Sequence, residues 1–151
     1  MKYNSGFTLL EMLVALTLLM ILASAVMPLA KNKISRQREL ELRRGLRTMR
    51  LAIDDYKRHV DKKKITPTSM YSYGYPERLE SLLEEHTVLD TGAKIRFMRK
   101  VPVDPFTHQP LWGLRSISDS PNSFNWGGGN VYDVYSLAPG IGSDGIPYRE
   151  W

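Results

Sequence analysis

The sequence contains no cysteine and only three histidines among its 151 residues. The absence of cysteine excludes a disulfide scaffold, an iron–sulfur cluster, a thiolate zinc site and a cysteine nucleophile. The histidines, at positions 59, 86 and 108, lack the spacing of metal ligands. The glycines at 127–129 are not followed by the Gly-Lys-Ser/Thr of a phosphate loop. We interpret Asp104 and Asp133 as residues that fix turns or bind backbone amides. We therefore expect that the protein is not an enzyme.

Charge is missing from one long stretch and is uneven in the rest of the chain. Met12–Ala30 comprises nineteen residues without a charged side chain, and as a helix it would be about 28 Å long, close to the roughly 30 Å hydrocarbon core of a bilayer. Residues 31–64 carry thirteen Lys and Arg against five Asp and Glu, a net of +8, and residues 65–151 have a net of −3. The pattern predicts a membrane-embedded helix, a basic helix and a mildly acidic head.

One carboxylate, that of Glu11, lies at the start of the apolar segment. A charged side chain within a membrane helix costs roughly 2.5–3.5 kcal/mol even on a lenient scale, so it indicates a function and a positively charged partner. A secretory signal peptide is the alternative, with a cleavage site near Leu22–Ala25, but such a peptide has no use for this carboxylate.

The sequence SGFTLLE at residues 5–11, followed by the long apolar run, resembles the class III signal of type IV pilins and type II secretion pseudopilins. The resemblance implies that prepilin peptidase cleaves between Gly6 and Phe7 and that Phe7 becomes N-methylated. It implies a leader at 1–6 and a transmembrane and assembly helix at 7–30. Pro28 lies where many family members kink this helix.

The same resemblance implies a single-pass protein of the bacterial inner membrane with its C-terminal domain in the periplasm. The basic cluster after the apolar run would by itself favour a cytoplasmic C-terminal domain. The motif indicates the opposite orientation, and we adopt the orientation that the motif implies. Cleavage would create an amine at Phe7, four residues before Glu11. Because removing one member of a buried ion pair costs roughly 3–5 kcal/mol, we predict that Glu11 of one subunit pairs with the Phe7 amine of a neighbour in a filament.

A second helical pattern extends over Ser35–Val60. Its apolar stripe, broadened by Leu51 and Ala52, has alternating spacings of four and three residues and consists of Leu42, Leu46, Met49, Ile53, Tyr56 and Val60. Such a stripe favours packing on a sheet of the same chain, with a coiled-coil partner as the alternative. Its basic faces lack the interleaved aromatics and recognition fold of a nucleic-acid-binding protein. We expect no nucleic-acid partner.

The head, residues 63–151, follows the amphipathic helix at 31–62. The pattern predicts a short helix over Pro76–Glu85 and strands over Trp112–Ile117 and Val131–Leu137. The predicted fold is α+β and pilin-like: a long N-terminal helix, half transmembrane and half amphipathic, packed on a small antiparallel sheet.

Three head segments resemble those of the major pseudopilins: residues 101–106, 131–137 and 143–148. Members of that family bind calcium in the last loop. The resemblance makes Asp144 and the carbonyl of Leu137 candidate calcium ligands, although Gly140 stands where another family aspartate is expected. Calcium needs about six to eight oxygen ligands.

The resemblance implies a structural subunit of a type II secretion pseudopilus that drives protein export across the outer membrane. The implied partners are further copies of the chain, prepilin peptidase, other pseudopilins and an inner-membrane assembly platform. The alternatives are a type IV pilin or minor pilin for adhesion, motility or DNA uptake, and a membrane-tethered periplasmic binding module that never polymerises.

Overall fold

A single helix accounts for the first part of the described chain. The computed structural model describes residues 6–151, except for the side chains of residues 25–32. Helix α1 extends over 53 residues, Leu9–Asp61. The chain divides into two compact units with the boundary between Gln37 and Arg38, and we call the second one the head unit. Among the described residues, no helix combines the length and the apolar character needed to cross a membrane.

The part of α1 that lies in the head unit buries the predicted apolar stripe. The helix predicted over Ser35–Val60 is confirmed, since α1 covers it. Five stripe residues are at most 2% exposed, and Val60 packs at the edge of the same core; the five are Leu42, Leu46, Met49, Ile53 and Tyr56. Ala52 is buried as predicted, but Leu51 is 55% exposed. The prediction for Leu51 is wrong because, at 3.6 residues per turn, it lies about 200° around the helix from Met49.

Four short strands follow the helix and pair as two antiparallel ladders. Strand β1 (His86–Thr87) pairs with β2 (Lys94–Ile95). Strand β3 (Gly113–Arg115) pairs with β4 (Asp133–Tyr135), with Leu114 opposite Val134. The strands predicted near 112–117 and 131–137 are thus confirmed in a shorter form. The long helix packed on a small antiparallel sheet is the predicted α+β, pilin-like architecture.

Between these elements the chain forms three short 3₁₀ helices: Met70–Ser72, Leu79–Leu83 and Tyr148–Glu150. The amphipathic helix predicted over Pro76–Glu85 is therefore reduced to five residues. Leu79 and Leu82 are both buried, and a spacing of three residues matches the three residues per turn of a 3₁₀ helix. Glu84 then adopts an extended conformation, which leads the chain into β1.

The core of the head unit joins the helical stripe to the loops and strands. It includes Leu82, Trp112, Val131, Val134 and Tyr148. Gly113 must be glycine because the ring of the cross-strand residue Tyr135 occupies the space that a Cβ would need. Burial of apolar side chains from both α1 and the second ladder holds these elements together.

A partly buried ion cluster also joins α1 to β3 and β4. The Asp133 carboxylate accepts hydrogen bonds from Arg50 Nε at 2.7 Å and from Arg115 Nη1 at 3.2 Å. Arg115 is only 8% exposed. Arg50 also donates to the main-chain oxygens of Val134 at 3.0 Å and Trp151 at 2.8 Å. Asp133 therefore forms ion pairs with two arginines, and the prediction that it fixes a turn or binds backbone amides is wrong.

Asp104 fulfils the role that the sequence predicts for it. It is fully buried, and its Oδ1 accepts hydrogen bonds from the backbone amides of Phe106 at 2.8 Å and Thr107 at 3.3 Å. Its Oδ2 accepts a hydrogen bond from the Ser136 hydroxyl at 2.6 Å. This carboxylate thus fixes the turn that follows it and attaches that turn to the chain after β4.

The first prediction compares two leucines of α1. We expect Leu46→Ala to reduce the free energy of unfolding by about 2–5 kcal/mol, because it leaves a cavity in the core. Leu51→Ala removes the same atoms from an exposed position and should change it by less than about 0.5 kcal/mol. Denaturant unfolding of the full chain, followed by tryptophan fluorescence, measures both. Equal losses in the two variants would contradict the described packing.

The second prediction concerns the ion cluster. We expect Asp133→Asn to reduce the free energy of unfolding by about 1–3 kcal/mol, because Arg115 stays buried without its charged partner. Asp90→Asn, in the exposed turn between β1 and β2, is the matched control and should have almost no effect. The same unfolding measurement applies, and a variant at 133 as stable as the control would show that the cluster contributes nothing.

Candidate functional site

The predicted cleavage point lies just before the first turn of α1. Gly6 has no neighbouring atom within 4 Å of the place where a Cβ would be. Phe7 is 76% exposed, and the helix begins two residues later, at Leu9. The bond between Gly6 and Phe7 is therefore in non-helical, accessible chain, which is the form of substrate that a peptidase can bind.

Thr8 caps the helix immediately after this bond. Its hydroxyl oxygen accepts a hydrogen bond from the Glu11 amide at 3.2 Å, and its carbonyl accepts one from the Met12 amide at 3.2 Å. Thr followed three residues later by Glu is a capping-box pattern. This role of Thr8 was not predicted, although its spacing to Glu11 indicates it. The cap places Glu11 in the first turn of α1. There the positive end of the helix dipole stabilises a negatively charged side chain.

The helix after this cap exposes apolar side chains on every face. The large hydrophobic residues from Leu9 to Leu22 are each between 48% and 83% exposed. The hydroxyls of Thr17 and Ser24 donate to carbonyls of their own helix, at 2.8 Å each. Glu11 is the one ionisable side chain between Thr8 and Ser24. An apolar surface of this extent indicates contact with lipid or with other protein.

Of the predicted assembly residues, the structure brings Phe7 and Glu11 to the same end of α1. Pro28 lies outside the residues whose side chains are described. The predicted calcium ligands lie elsewhere, in the C-terminal part of the head unit.

Asp144 lies in a tight turn of the C-terminal loop, which we define as residues 138–147. Its Oδ1 accepts a hydrogen bond from the Ile146 amide at 3.0 Å, and its Oδ2 forms an ion pair with Arg43 Nη2 at 2.5 Å. Leu137 precedes the loop and is half exposed. Both carboxylate oxygens of Asp144 are therefore already used, one of them by a cation.

These donors do not fit a calcium ion. Calcium takes six to eight oxygen ligands, usually with more than one carboxylate, whereas Asp144 supplies the one carboxylate of the C-terminal loop. In the part of the chain that the structure describes, no group of three or more His, Cys, Asp or Glu residues could hold a metal ion. A guanidinium supplies the positive charge beside Asp144 instead.

Glu39 contacts the C-terminal loop, a role that was not predicted from the sequence. It is 8% exposed, and its carboxylate accepts hydrogen bonds from the Ser143 amide at 3.0 Å and the Ser143 hydroxyl at 2.5 Å. The Tyr148 hydroxyl donates to it at 3.4 Å. Burial raises the pKa of Tyr148 above its usual range, and the adjacent Glu39 carboxylate raises it further. Tyr148 therefore remains a neutral donor at physiological pH.

Four basic residues of α1 form ion pairs within the head unit, and two of them, Lys57 and Arg58, pair with carboxylates of α1 itself. Arg43 pairs with Asp144 and Arg50 with Asp133, and Arg43 remains about half exposed, on the same exposed side of α1 as Arg44 and Arg47. Part of the positive charge of α1 is thus neutralised by the acidic head of the same chain, which reduces the basic surface available to an outside partner.

Comparison with known proteins supports the N-terminal motif. Residues 1–27 match a family model described as the prokaryotic N-terminal methylation motif. No curated protein and no solved structure matches the chain at a significant level. The motif match supports a membrane-anchored prepilin of the type IV pilin-like kind, which is a structural subunit that a peptidase processes and that polymerises with other subunits.

Proposed function

We propose that this chain is a structural subunit of a type II secretion pseudopilus, polymerised through α1 to drive protein export across the outer membrane. The observation that carries the proposal is the position of Glu11, one carboxylate in the first turn of an otherwise apolar, exposed helix surface. The methylation motif supports the processing step. The step to protein export rests on the resemblance of the head segments.

Processing supplies the partner that Glu11 needs. Hydrolysis of the bond between Gly6 and Phe7 would release the leader, which carries Lys2, and leave an amine at Phe7. Methylation of this amine keeps a nitrogen that is protonated at neutral pH. The mature chain then begins with a cation directly before the capped helix, four residues from Glu11.

Assembly would follow from the cost of burying an unpaired charge. Helices that pack through their apolar faces bury Glu11 in a medium of low dielectric constant, where an isolated carboxylate is strongly disfavoured. The Phe7 amine of a neighbouring subunit can neutralise it. Since breaking a buried ion pair costs roughly 3–5 kcal/mol, only the axial offset that aligns the two groups would be stable. This selects one register along the filament.

Before assembly, the proposal places residues 7–30 in the bacterial inner membrane and residues 63–151 in the periplasm. The apolar run of Met12–Ala30 has the length that a bilayer requires. Prepilin peptidase, other pseudopilins and an inner-membrane assembly platform are the proposed partners. The absence of cysteine also favours a pseudopilin over pilins whose heads are closed by a disulfide.

The third prediction concerns the mature N-terminus. Mass spectrometry of the protein from its native membrane should give a chain that begins with N-methylated Phe7, because the peptidase removes residues 1–6. Gly6→Val should leave the precursor uncleaved, and Asn4→Ala in the leader is the control that should be processed normally. A mature chain cut near Leu22–Ala25 would identify a secretory signal peptide and refute the proposal.

The fourth prediction concerns Glu11. Glu11→Gln should be processed normally but should yield about 100-fold fewer assembled subunits, because the Phe7 amine is then buried without a charge partner. Shearing and electron microscopy measure the filaments, and activity of exported enzymes in the medium measures secretion. Glu80→Gln, an exposed carboxylate of the head unit, should leave both unchanged.

Other outcomes of these experiments would distinguish between the alternative functions. Normal filaments from Glu11→Gln would refute the ion-pair mechanism. A deletion strain that loses motility or DNA uptake but still secretes would favour the pilus alternative. A wild-type chain that never polymerises, even when overproduced, would favour a tethered binding module.

A further inference from the structure

The C-terminal loop has a compact turn that presents its polar groups to α1. Gly142 donates to the carbonyl of Ile146 at 2.8 Å, and Gly145 donates to the carbonyl of Gly142 at 2.9 Å. Gly145 has a φ of +81°, a conformation that favours glycine. The turn therefore fixes the Asp144 carboxylate and the Ser143 amide in defined positions.

Helix α1 binds this turn through two charged side chains one helical turn apart. Arg43 Nη2 lies 2.5 Å from Asp144 Oδ2, while the Glu39 carboxylate accepts both the amide and the hydroxyl of Ser143. Residues four apart lie on the same face of a helix. The helix thus offers an anion and a cation side by side to a turn that offers the complementary donor and acceptor.

Aromatic rings lie against the same residues. The Arg43 guanidinium lies over the Trp151 ring, 4.2 Å from its centroid, and Trp151 packs edge-on against Tyr148 at 5.0 Å. Tyr148 in turn donates to Glu39. The cation–π contact adds to the ion pair of the half-exposed Arg43, while burial of Glu39 strengthens its hydrogen bonds.

We propose that Glu39 and Arg43 take the place of a divalent cation in holding the C-terminal loop on α1, so that the head unit is stable without calcium. The guanidinium provides the positive charge at Asp144, and Glu39 satisfies the donors of the adjoining residue. A calcium ion at Asp144 would have to displace Arg43, and the one other carboxylate described beside the turn, that of Glu39, is occupied by the Ser143 amide and hydroxyl. The inference goes beyond the proposed function and does not depend on polymerisation.

The fifth prediction tests this assignment by thermal unfolding of the full chain in detergent, followed by tryptophan fluorescence. With excess calcium chloride or with a chelator, the Tm of the wild type should agree within about 1 °C. Arg43→Ala should lower the Tm by about 2–4 °C. Arg47→Ala, the exposed arginine one turn further on, is the matched control and should leave the Tm unchanged.

Calorimetric titration of the wild type with calcium chloride gives a second measurement that requires no variant, and we expect no saturable heat at millimolar concentrations. A calcium-dependent rise in the Tm, or saturable binding, would overturn the inference. An Arg43→Ala variant as stable as Arg47→Ala would also overturn it. If Arg43→Ala fails to fold, Arg43→Lys keeps the charge, and its Tm should lie between those of the wild type and Asp144→Asn.

Discussion

The exposed apolar surface of the first part of α1 is the constraint on which the rest of the account depends. Side chains from Leu9 to Leu22 that are about half to four-fifths exposed are stable only if lipid or other subunits cover them. Every polar group in this stretch must then be satisfied locally. Thr17 and Ser24 bind carbonyls of their own helix, and Glu11 is the remaining group whose charge requires a partner. The proposed cleavage before Phe7 would create an amine that meets this requirement.

The head unit follows a different principle on the same helix. Here α1 buries one stripe and uses its flanking charges to hold distant segments: Arg50 reaches Asp133, while Arg43 and Glu39 reach the C-terminal loop. Charged side chains beside a buried stripe can thus replace a disulfide or a metal ion as the means of closing a small domain. Each of these pairs joins residues roughly 80 to 100 positions apart in the sequence. The position of β4 and of the C-terminal loop therefore depends directly on contacts with α1.

The sequence predicted those features that depend on local periodicity or on a short motif. The stripe from Leu42 to Tyr56 was predictable because its spacing repeats over several turns, and β4 because its segment is rich in Val and Tyr, which favour strands. Strands of two residues, such as β1, are too short to show an alternating pattern. The roles of Glu39 and Arg43 could not be predicted, because nothing near them in the sequence indicates partners in the C-terminal loop. The cap at Thr8 was predictable in principle, from its spacing to Glu11.

The most direct test of the central claim is a cryo-electron microscopy reconstruction of the assembled filament. The account predicts that the Phe7 nitrogen of one subunit lies within about 4 Å of the Glu11 carboxylate of a neighbouring subunit, the distance of an ion pair. It also predicts that the helices of the surrounding subunits cover both groups. A filament in which Glu11 faces solvent, or in which the two groups lie far apart, would contradict the account.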